Sequence, residues 1–346
     1  MKHLFTILLT LFSFYASGYA QKPFKVVFYN LENFFDLEND PDVLDDEFTP
    51  EGPKKWTKDK YDKKLSNIEK VFFDIAAINK DYPAVIGVCE IENRNVLEDI
   101  VATKKLSPAN YRIVHYDSPE LRGVDAAFMY RPDVLKLEGS KAIRTVIPSL
   151  PDFKTRDIVT MWGKIDQEDF FFMVAHWPSR LGGKEASAFR RIAVGNQMRH
   201  IADSVRALRP STKVVMMGDF NDDPTDESIS GEKGIGAKIK VKEVTPADYY
   251  APFAALLKAG YGTLAYGDAW NIFDNIVVSG NLINEDKDQL KLKKNDNSKF
   301  YGHIFKRHYM VQKEGQFKGY PLRTYVGNNF QGGFSDHFPV YIYIGK

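Results

Sequence analysis

The chain has 346 residues and a formal net charge of +1, with 47 Lys and Arg against 46 Asp and Glu. A balance this close to neutral excludes a molecule whose whole surface attracts nucleic acid, so any such affinity has to come from a local patch. Hydrophobic residues make up 44%, which is enough for a globular protein with a substantial core. The single cysteine, Cys89, excludes an internal disulfide framework and a zinc site built from several cysteines.

The first twenty residues have the pattern of a cleavable signal peptide. Lys2 and His3 form a basic start, an apolar run covers 4–14, and small residues lead up to Gln21. The run is shorter than the roughly 20 residues that a bilayer-spanning helix needs, and no cysteine lies nearby for lipid attachment. We therefore expect residues 1–20 to be removed and the protein to be exported, to the periplasm or the extracellular space. A buried N-terminal strand or helix is the alternative.

From residue 22 onward, apolar segments follow one another without a linker or a repeat, so we expect a single domain over 22–346. In chain order the pattern predicts a strand at 24–28, a polar loop at 38–57, a helix at 60–79, strands at 84–89, 111–115, 125–130, 157–165 and 170–175, a helix at 187–208, and strands at 213–217, 275–278 and 340–344. Hairpin-like neighbours alternate with strand–helix–strand units, which favours a layered α/β or α+β domain. The acidic loop after residue 36 and the lysine-rich span 286–323 are expected to be elaborations of this domain.

Polar groups stand where five of the predicted strands begin or end. They are Asn30 with Glu32, Glu90, His176, Asp219 with Asn221, and Asp336 with His337. In sheets flanked by helices, ligands bind in the crevice at one set of strand ends and in the loops there. Although these side chains span most of the chain, we therefore expect them to converge on one site.

The segment GDFND at 218–222 carries a carboxylate and an amide two residues apart. In extended backbone such residues point to the same face, so Asp219 and Asn221 would project together while Phe220 anchors the segment in the core. A carboxylate beside an amide can hold and polarise one water, which a hydrolase needs in order to aim a nucleophile. An ordinary Asx turn is the alternative for this segment alone.

Glu90 directly follows a predicted buried strand, where a carboxylate needs either a cation or a proton. With Asp336 and the amide of Asn30 it offers the oxygen ligands that Mg²⁺ prefers, usually with only one or two protein carboxylates. The chain has no HExxH or CxxC motif, which disfavours zinc catalysis. A paired structural glutamate is the alternative for Glu90.

His176 and His337 lie beside strand ends and carboxylate-bearing motifs, and both are candidates for proton transfer or for binding a phosphoryl oxygen. Asp274 precedes another apolar strand in WNIFDNIVV. It is placed to orient His337 through an imidazole N–H, as carboxylates commonly do. A turn cap is the alternative for Asp274.

The segments GDFND and SDHFPV at 335–340, together with the order of the polar residues from Asn30 to His337, resemble the endonuclease/exonuclease/phosphatase superfamily, which includes the DNase I-like enzymes. The resemblance covers essentially the whole domain. It implies a four-layer sandwich in which two mixed β-sheets pack face to face, with helices on both outer faces. It also implies hydrolysis of a phosphate ester by in-line attack of water, assisted by Mg²⁺, with Mn²⁺ or Ca²⁺ as alternatives.

The resemblance implies three groups of site residues. The metal ligands are Glu90 as the principal one, with Asn30 and Asp336. The catalytic residues are His176, Asp219, Asn221, Asp274 and His337. The candidates for substrate contact are Arg122, with Asp125 close by, in RGVDAAFMYRP, and Ser179 and Arg180 in HWPSR.

Within the catalytic group, the resemblance gives separate roles to the carboxylates and the imidazoles. Asp219 and Asn221 would orient and activate the attacking water. His337, held by Asp274, would bind the scissile phosphate or transfer a proton. His176 would be a general acid or a phosphate contact.

The motifs leave the substrate open, because function depends on the loops around the site. A nuclease is favoured by the expected export and by the lysines of 286–323, with Tyr301, Phe305 and Tyr309 interleaved for stacking on bases. A solvated insertion is the alternative for that span. A lipid-headgroup or small-molecule phosphatase, acting on substrates such as inositol phosphates, suits the near-neutral charge, and a non-catalytic binding module of the same fold is least favoured. We expect a monomer without a membrane span that binds a phosphate-ester substrate, with nucleic acid among the alternatives.

Overall fold

The computed structural model of the protein describes residues 22–283, 286, 288–295 and 297–346. The predicted signal peptide at 1–20 lies outside these residues. Within the part of the chain that is described, no helix is both long and apolar enough to cross a bilayer.

The described residues form seventeen strands and four α-helices. In chain order these are β1 (Phe24–Phe34), α1 (Lys58–Ala77), β2 (Val85–Ile91), α2 (Arg94–Ala102), β3 (Arg112–His115), β4 (Asp125–Tyr130), β5 (Lys136–Ile143), β6 (Ile158–Ile165), β7 (Glu168–His176), α3 (Lys184–Leu208), β8 (Lys213–Asp219), β9 (Tyr249–Tyr250), α4 (Ala254–Lys258), β10 (Leu264–Tyr266), β11 (Ala269–Asn271), β12 (Asp274–Ser279), β13 (Lys291–Lys293), β14 (Gly302–Ile304), β15 (Tyr325–Val326), β16 (Asn329–Phe330) and β17 (Val340–Gly345). Every predicted strand and helix is present, with ends that differ by a few residues.

Two large mixed sheets dominate the fold. The first has the strand order β13-β17-β1-β2-β4-β3, with β14 also paired to β17, and β1 runs parallel to β2 but antiparallel to β17. The second has the order β5-β6-β7-β8-β12-β9, and β7 runs parallel to β8 but antiparallel to β6. The pairs β10–β11 and β15–β16 form two small hairpins apart from these sheets.

Strand β1 shows how the layers are arranged, because it is buried on both faces. Val26 and Phe28 lie in a cluster shared with Phe172 of the second sheet, so this face of β1 packs against that sheet. Val27, which points to the opposite face, lies in a separate cluster with Phe72 of α1. Helix α1, together with α2, therefore covers the outer face of the first sheet.

Helix α3 covers the outer face of the second sheet. Val194 and Met198 of this helix pack with Met173 of β7 and Val214 of β8. The layers are thus α1 and α2, the first sheet, the second sheet, and α3. This confirms the four-layer α/β sandwich that the motifs implied.

The structure also holds elements that the sequence pattern did not predict, among them α2 and β5. Asn93 begins α2, since its side chain accepts a hydrogen bond from the backbone N–H of Val96 at 3.2 Å, which is the usual way an asparagine caps a helix. β5 is an edge strand without a fully buried residue. Its sequence therefore lacks the apolar run that revealed the central strands.

The lysine-rich span 286–323 contributes two short strands to the first sheet. β13 and β14 extend the first sheet by pairing with β17, where Lys291 lies opposite Gly345 and Ile304 lies opposite Val340. The two strands therefore pair with successive parts of β17, and Lys294 and Lys299, which lie between them in the chain, line the same pocket. Phe305 is 1% exposed and belongs to the core, so the prediction that it stacks on bases is wrong.

Candidate active site

The candidate residues meet where the ends of the two sheets come together. In the second sheet, His176 at the end of β7 is paired with Asp219 at the end of β8, and Asp274 at the start of β12 is paired with Asp219 from the other side. In the first sheet, Asn30 of β1 lies beside the end of β2, which carries Glu90. The structure therefore shows the convergence that the positions at strand ends predicted.

Glu90 reaches the site because β2 carries a bulge. The residues on either side of Glu90 pair with successive residues of β4, which leaves Glu90 itself without an opposite residue. Its φ of 58° is left-handed, a conformation that is uncommon outside glycine and costs about 1 kcal/mol or more. A bulge of this kind re-aims a side chain. Here the carboxylate accepts hydrogen bonds from Asn30 Nδ2 at 3.2 Å and from the backbone N–H of Asn33 at 2.9 Å.

Asn30 holds the carboxylates together through its amide nitrogen. Nδ2 donates to Glu90 and also to Asp219 Oδ2 at 3.0 Å. The amide oxygen is taken by the backbone N–H of Glu32 at 2.8 Å, which fixes the orientation of the amide. In this orientation Asn30 presents its amide nitrogen to the carboxylates and positions them, and its role as a metal ligand stays a prediction.

The backbone turns after Asp219, so the extended arrangement predicted for 219–221 is wrong. Asn221 has a left-handed φ of 52°, its backbone N–H donates to Asp219 Oδ1 at 2.9 Å, and its side-chain amide donates to the carbonyl of Trp177 at 3.0 Å. This is an Asx turn, which aspartate favours. Phe220 is buried as predicted and stacks on Trp177 with ring centroids 4.2 Å apart.

His337 is held by a fully buried carboxylate. Oδ2 of Asp274 lies 2.7 Å from Nδ1 of His337, and Nε2 on the other side of the ring lies 3.8 Å from Asp219 Oδ2. The hydroxyl of Ser335 fixes the loop, since it donates to the carbonyl of Asn30 at 2.7 Å and accepts from the backbone N–H of His337 at 3.0 Å. Burial alone would lower the pKa of His337, but the charges of Asp274 and Asp219 outweigh it and raise that pKa well above its usual range. His337 is therefore an imidazolium at neutral pH.

His176 differs from His337 in its protonation state. Its Nε2 lies 3.6 Å from Asp219 Oδ2 and 3.8 Å from Glu90 Oε1. Burial lowers the pKa of His176 well below its usual range, and the cation of Arg156 lowers it further. The ring is therefore neutral at neutral pH. Ligand atoms of Glu90, His176 and Asp219 all lie within 4.8 Å of one another, which makes these three a candidate cation-binding set.

Asp219 is the common neighbour in this cluster. Burial raises its pKa to about 7, an effect that the cation of His337 opposes and that the charges of Asp274 and Glu90 strengthen. A buried carboxylate surrounded by other carboxylates ionises more readily when a cation lies nearby. The electrostatics of the cluster therefore favour binding of a positive ion.

Asp336 lies beside the compact cluster rather than within it. Its Oδ2 accepts a hydrogen bond from Arg323 Nη2 at 2.9 Å, and its Oδ1 lies 3.8 Å from Nε2 of His337. The cation-binding set thus contains His176 and Asp219 in place of Asp336. The role of Asp336 as a metal ligand stays a prediction.

Of the two candidates in the segment 122–125, one faces the site. Nη1 of Arg122 lies 3.4 Å from Oδ1 of Asn33, the residue whose backbone holds Glu90. Asp125 is buried and is engaged elsewhere, since its Oδ2 lies 3.0 Å from Nε2 of His115. Arg122 therefore remains a candidate for substrate contact, whereas the carboxylate of Asp125 is held by His115 and by the backbone of Ser118.

Ser179 and Arg180 follow β7 and differ in the exposure and contacts of their side chains. Ser179 is exposed. The guanidinium of Arg180 contacts Asp226 at 2.9 Å and donates to the carbonyl of Asn221 at 2.9 Å, so it supports the turn after β8. Substrate binding by these two residues stays a prediction.

Arg156 is a buried cation beside the site that the sequence did not reveal. It is 8% exposed, its Nη2 donates to the carbonyl of Trp177 at 3.2 Å, and its Nε has no hydrogen-bond partner among the described residues. Burial lowers the pKa of Arg156, while Glu120 and Glu90 act in the opposite direction. A guanidinium with unused donors next to the cluster is suited to an anionic oxygen. The one signal in the sequence is its position two residues before β6, near another strand end.

Glu32 supports the site from behind. Its Oε2 accepts from the backbone N–H of Thr324 at 2.6 Å and lies 3.9 Å from Nζ of the buried Lys64. Lys64 of α1 also donates to the carbonyls of Glu32 and Phe334 at 3.1 and 3.2 Å. Burial raises the pKa of Glu32 to about 7, with Asp336 adding to the effect and Lys64 opposing it. Glu32 therefore ties β1 to α1 and to the loop before β17.

A cluster of this composition on a sandwich of this topology places the protein among the hydrolases of phosphate esters. The chain belongs to the endonuclease/exonuclease/phosphatase family, whose sequence model matches residues 25–346. No curated protein matches it in sequence.

Solved structures with the same fold come from several organisms. A humanized D. rerio TDP2 is 13% identical with a TM-score of 0.53, over 94% of this chain and 99% of that chain. The Bacteroides thetaiotaomicron mannosyl-6-phosphatase is 16% identical with a TM-score of 0.54, over 93% of this chain and 100% of that chain. The human Nocturnin catalytic domain is 15% identical with a TM-score of 0.52, over 93% of this chain and 94% of that chain. At these identities the similarity concerns the fold alone.

Proposed function

We propose that the protein is an exported phosphoesterase that depends on a divalent cation and hydrolyses phosphomonoester or phosphodiester bonds by in-line attack of water on phosphorus. The observation that supports this most directly is the meeting of three polar groups at Asp219 Oδ2: the amide of Asn30 at 3.0 Å and the imidazoles of His176 and His337 at 3.6 and 3.8 Å. One partner would suffice to stabilise a buried carboxylate. The presence of three such partners from distant parts of the chain supports a catalytic role for Asp219.

The donor set fits a hard divalent cation such as Mg²⁺. Glu90 and Asp219 supply carboxylate oxygens and His176 supplies a ring nitrogen within the same small volume. Mg²⁺ usually takes one or two protein carboxylates and completes its shell with water and phosphate oxygens, and Mn²⁺ or Ca²⁺ would be alternatives. When bound, such a cation neutralises negative charge on the phosphoryl oxygens.

The side chains around this position have distinct tasks in the proposed reaction. Asp219 orients the attacking water by accepting a hydrogen bond from it, and the backbone N–H of Asn221 fixes its carboxylate. The protonated His337 donates from Nε2 to a phosphoryl oxygen while Asp274 holds its ring. The neutral His176 can offer its ring nitrogen to the cation, and it is poorly suited to the role of general acid because it binds a proton only well below neutral pH.

Among the open substrate classes, we favour a small phosphate ester over nucleic acid. Of the three aromatic residues expected to stack on bases, Phe305 is in the core. The similar solved structures include both kinds of protein, a mannosyl-6-phosphatase and a TDP2 complexed with a single strand DNA product. The substrate class therefore depends on the loops around the site.

Export is supported by the basic, apolar and small-residue segments of 1–20. Expression of the full-length chain in a bacterial host, followed by fractionation and N-terminal sequencing, tests this part. We expect the protein outside the cytoplasm with Gln21 as its first residue. Retention in the cytoplasm with residues 1–20 intact would refute it.

The activity is tested by hydrolysis of nitrophenyl phosphate and bis-nitrophenyl phosphate with Mg²⁺, Mn²⁺ or Ca²⁺, and with chelator. We expect cation-dependent hydrolysis that Glu90→Ala and His337→Ala each lower by at least about 100-fold, comparable to the loss of other electrostatic stabilisers. Glu98→Ala is the matched control, since Glu98 is an exposed glutamate that pairs with Arg94 on α2. Hydrolysis that survives in both site variants would refute the proposed function.

A further inference from the structure

A cavity of about 530 Å³ opens directly beside the catalytic cluster, a volume within the range of small-ligand pockets. Asp336 belongs to its lining, and Oδ1 of this residue lies 3.8 Å from Nε2 of His337. The other walls come from the hairpin β10–β11, the segment 312–323 and the hairpin β15–β16. A phosphate bound at the cluster would therefore extend its ester group into this cavity.

One wall of the cavity is aromatic. Tyr266, at the end of β10, is 84% exposed, which is a large exposure for a tyrosine beside a catalytic site. Phe317 packs against Tyr320 with ring centroids 5.8 Å apart, and Tyr320 contacts Trp270 at 6.0 Å. Aromatic faces of this kind offer apolar contact area at a low entropic cost.

The lining of the cavity also carries side-chain amides. The amide nitrogen of Gln331 donates to the carbonyl of Asn329 at 3.1 Å, and that of Gln312 donates to the carbonyl of Glu314 at 3.1 Å. Amides anchored in this way keep an oxygen as a hydrogen-bond acceptor. The cavity therefore offers acceptors for hydroxyl groups next to an apolar face.

The charges of the lining disfavour a polyanion. The acidic residues are Asp268, Glu314 and Asp336, and the one basic residue among those described in the lining is Arg323. Arg323 is already paired with Asp336 at 2.9 Å. A nucleic-acid strand or a polyphosphorylated ring would bring further negative charge to this excess of carboxylates, and like charges brought together cost binding energy. An uncharged ring would avoid that cost.

We propose that this cavity binds the uncharged, hydroxyl-rich ring of a sugar phosphomonoester, whose phosphate lies at the cluster of Glu90, Asp219 and His337. This inference rests on the proposed function and names its substrate class. In the reaction, the oxygen of water forms a new bond to phosphorus and the bond from phosphorus to the sugar oxygen breaks. Of the two protons of the water, one ends on the hydroxyl of the free sugar and the other on inorganic phosphate.

The test measures release of inorganic phosphate from a hexose 6-phosphate and from nitrophenyl phosphate, with Mg²⁺, by the wild type and two variants of the cavity wall, Tyr266→Ala and Gln331→Ala. We expect the ratio of kcat/KM for the hexose phosphate over nitrophenyl phosphate to fall about tenfold in each variant, mainly through KM, since ground-state contacts with the ring are lost. Tyr261→Ala is the matched control, because this tyrosine is 53% exposed and lies outside the cavity lining. Its ratio should equal that of the wild type.

The outcomes separate this inference from the proposed function. If Glu90→Ala abolishes hydrolysis of nitrophenyl phosphate but both wall variants keep the wild-type ratio, the cavity proposal is wrong and the proposed function stands. If Glu90→Ala retains hydrolysis, the proposed function itself is wrong. Plasmid DNA forms a third arm: wild-type cleavage more efficient than hydrolysis of the hexose phosphate, and reduced in Tyr266→Ala, would assign the cavity to a nucleobase and overturn the proposal.

Discussion

Replacement of Asp274 by Asn removes the negative charge of this side chain and keeps its size and shape. Asp274 is fully buried, and its Oδ2 lies 2.7 Å from Nδ1 of the protonated His337. Hydrogen bonds to charged groups contribute about 1.5–3 kcal/mol, against about 0.5–1.5 kcal/mol for neutral ones. The variant should therefore lose about 1–2 kcal/mol of transition-state stabilisation, which corresponds to a roughly 5- to 30-fold fall in kcat/KM.

The same change should not destabilise the fold. Oδ1 of Asp274 is buried without a hydrogen-bond partner among the described residues, so the carboxylate is an incompletely compensated charge and its removal offsets the lost pairing with His337. We expect the free energy of unfolding in urea to be unchanged or higher. The fall of activity with rising pH should also begin at a lower pH in the variant, because the carboxylate that keeps His337 protonated is gone.

Asp125→Asn is the matched control for this experiment. Asp125 is likewise buried beside a histidine, with Oδ2 lying 3.0 Å from Nε2 of His115, and its Oδ1 accepts from the backbone N–H of Ser118 at 3.0 Å rather than from a residue of the cluster around Asp219. The control should keep wild-type kcat/KM. An Asp274→Asn enzyme that is fully active, or one whose lost activity is matched by a lost folded fraction, would refute this account of His337.

Three further predictions concern the buried cations Arg156 and Lys64 and the buried imidazole of His303. Arg156→Lys should raise KM for phosphate esters about tenfold, because lysine lacks the unused guanidinium donors, and unchanged steady-state kinetics would contradict this. Lys64→Met should lower the free energy of unfolding in urea by about 3–5 kcal/mol, since Glu32 loses its buried cation, and a change below about 1 kcal/mol would exclude that role. Burial lowers the pKa of His303 to about 4, against a usual value near 6.5, so the unfolded chain takes up a proton first as pH falls. The stability that neutral His303 contributes is complete above about pH 6.5 and is lost as the pH falls toward 4. The free energy of unfolding in urea, measured across this range, should therefore depend less on pH in His303→Gln than in the wild type. An equal pH dependence in the two proteins would contradict this.

The sequence revealed those parts of the fold that depend on local patterns. Strands such as β2 and β8 are continuous apolar runs, and α1 has apolar residues at helical spacing, so each is recognisable without its neighbours. The polar residues at the strand ends then indicated where the site lies, because the ends of adjacent strands meet in space. β5 escaped prediction because an edge strand with half-exposed residues lacks this pattern.

The details of the site depend on contacts that no local pattern contains. The bulge at Glu90 arises from the register between β2 and β4, and the left-handed turn at Asn221 is stabilised by the carbonyl of Trp177, which follows β7. The orientation of the Asn30 amide is set by a backbone N–H and two carboxylates. Arg156 becomes a site residue only when β6 is placed beside β7.

The position of β17 within the first sheet has a consequence for how the chain folds. β17 lies between β13 and β1, and it pairs Phe24 with Ile344, so the sheet can close only when opposite ends of the domain meet. Such long-range pairing is slow, because the entropy of closing a long loop is lost before the contacts form. Until then one edge of β1 stays unpaired and is exposed to association with other chains. The pairing of β17 with β1 also brings His337 to its carboxylate, so catalytic competence should appear together with protection of β1 from hydrogen exchange.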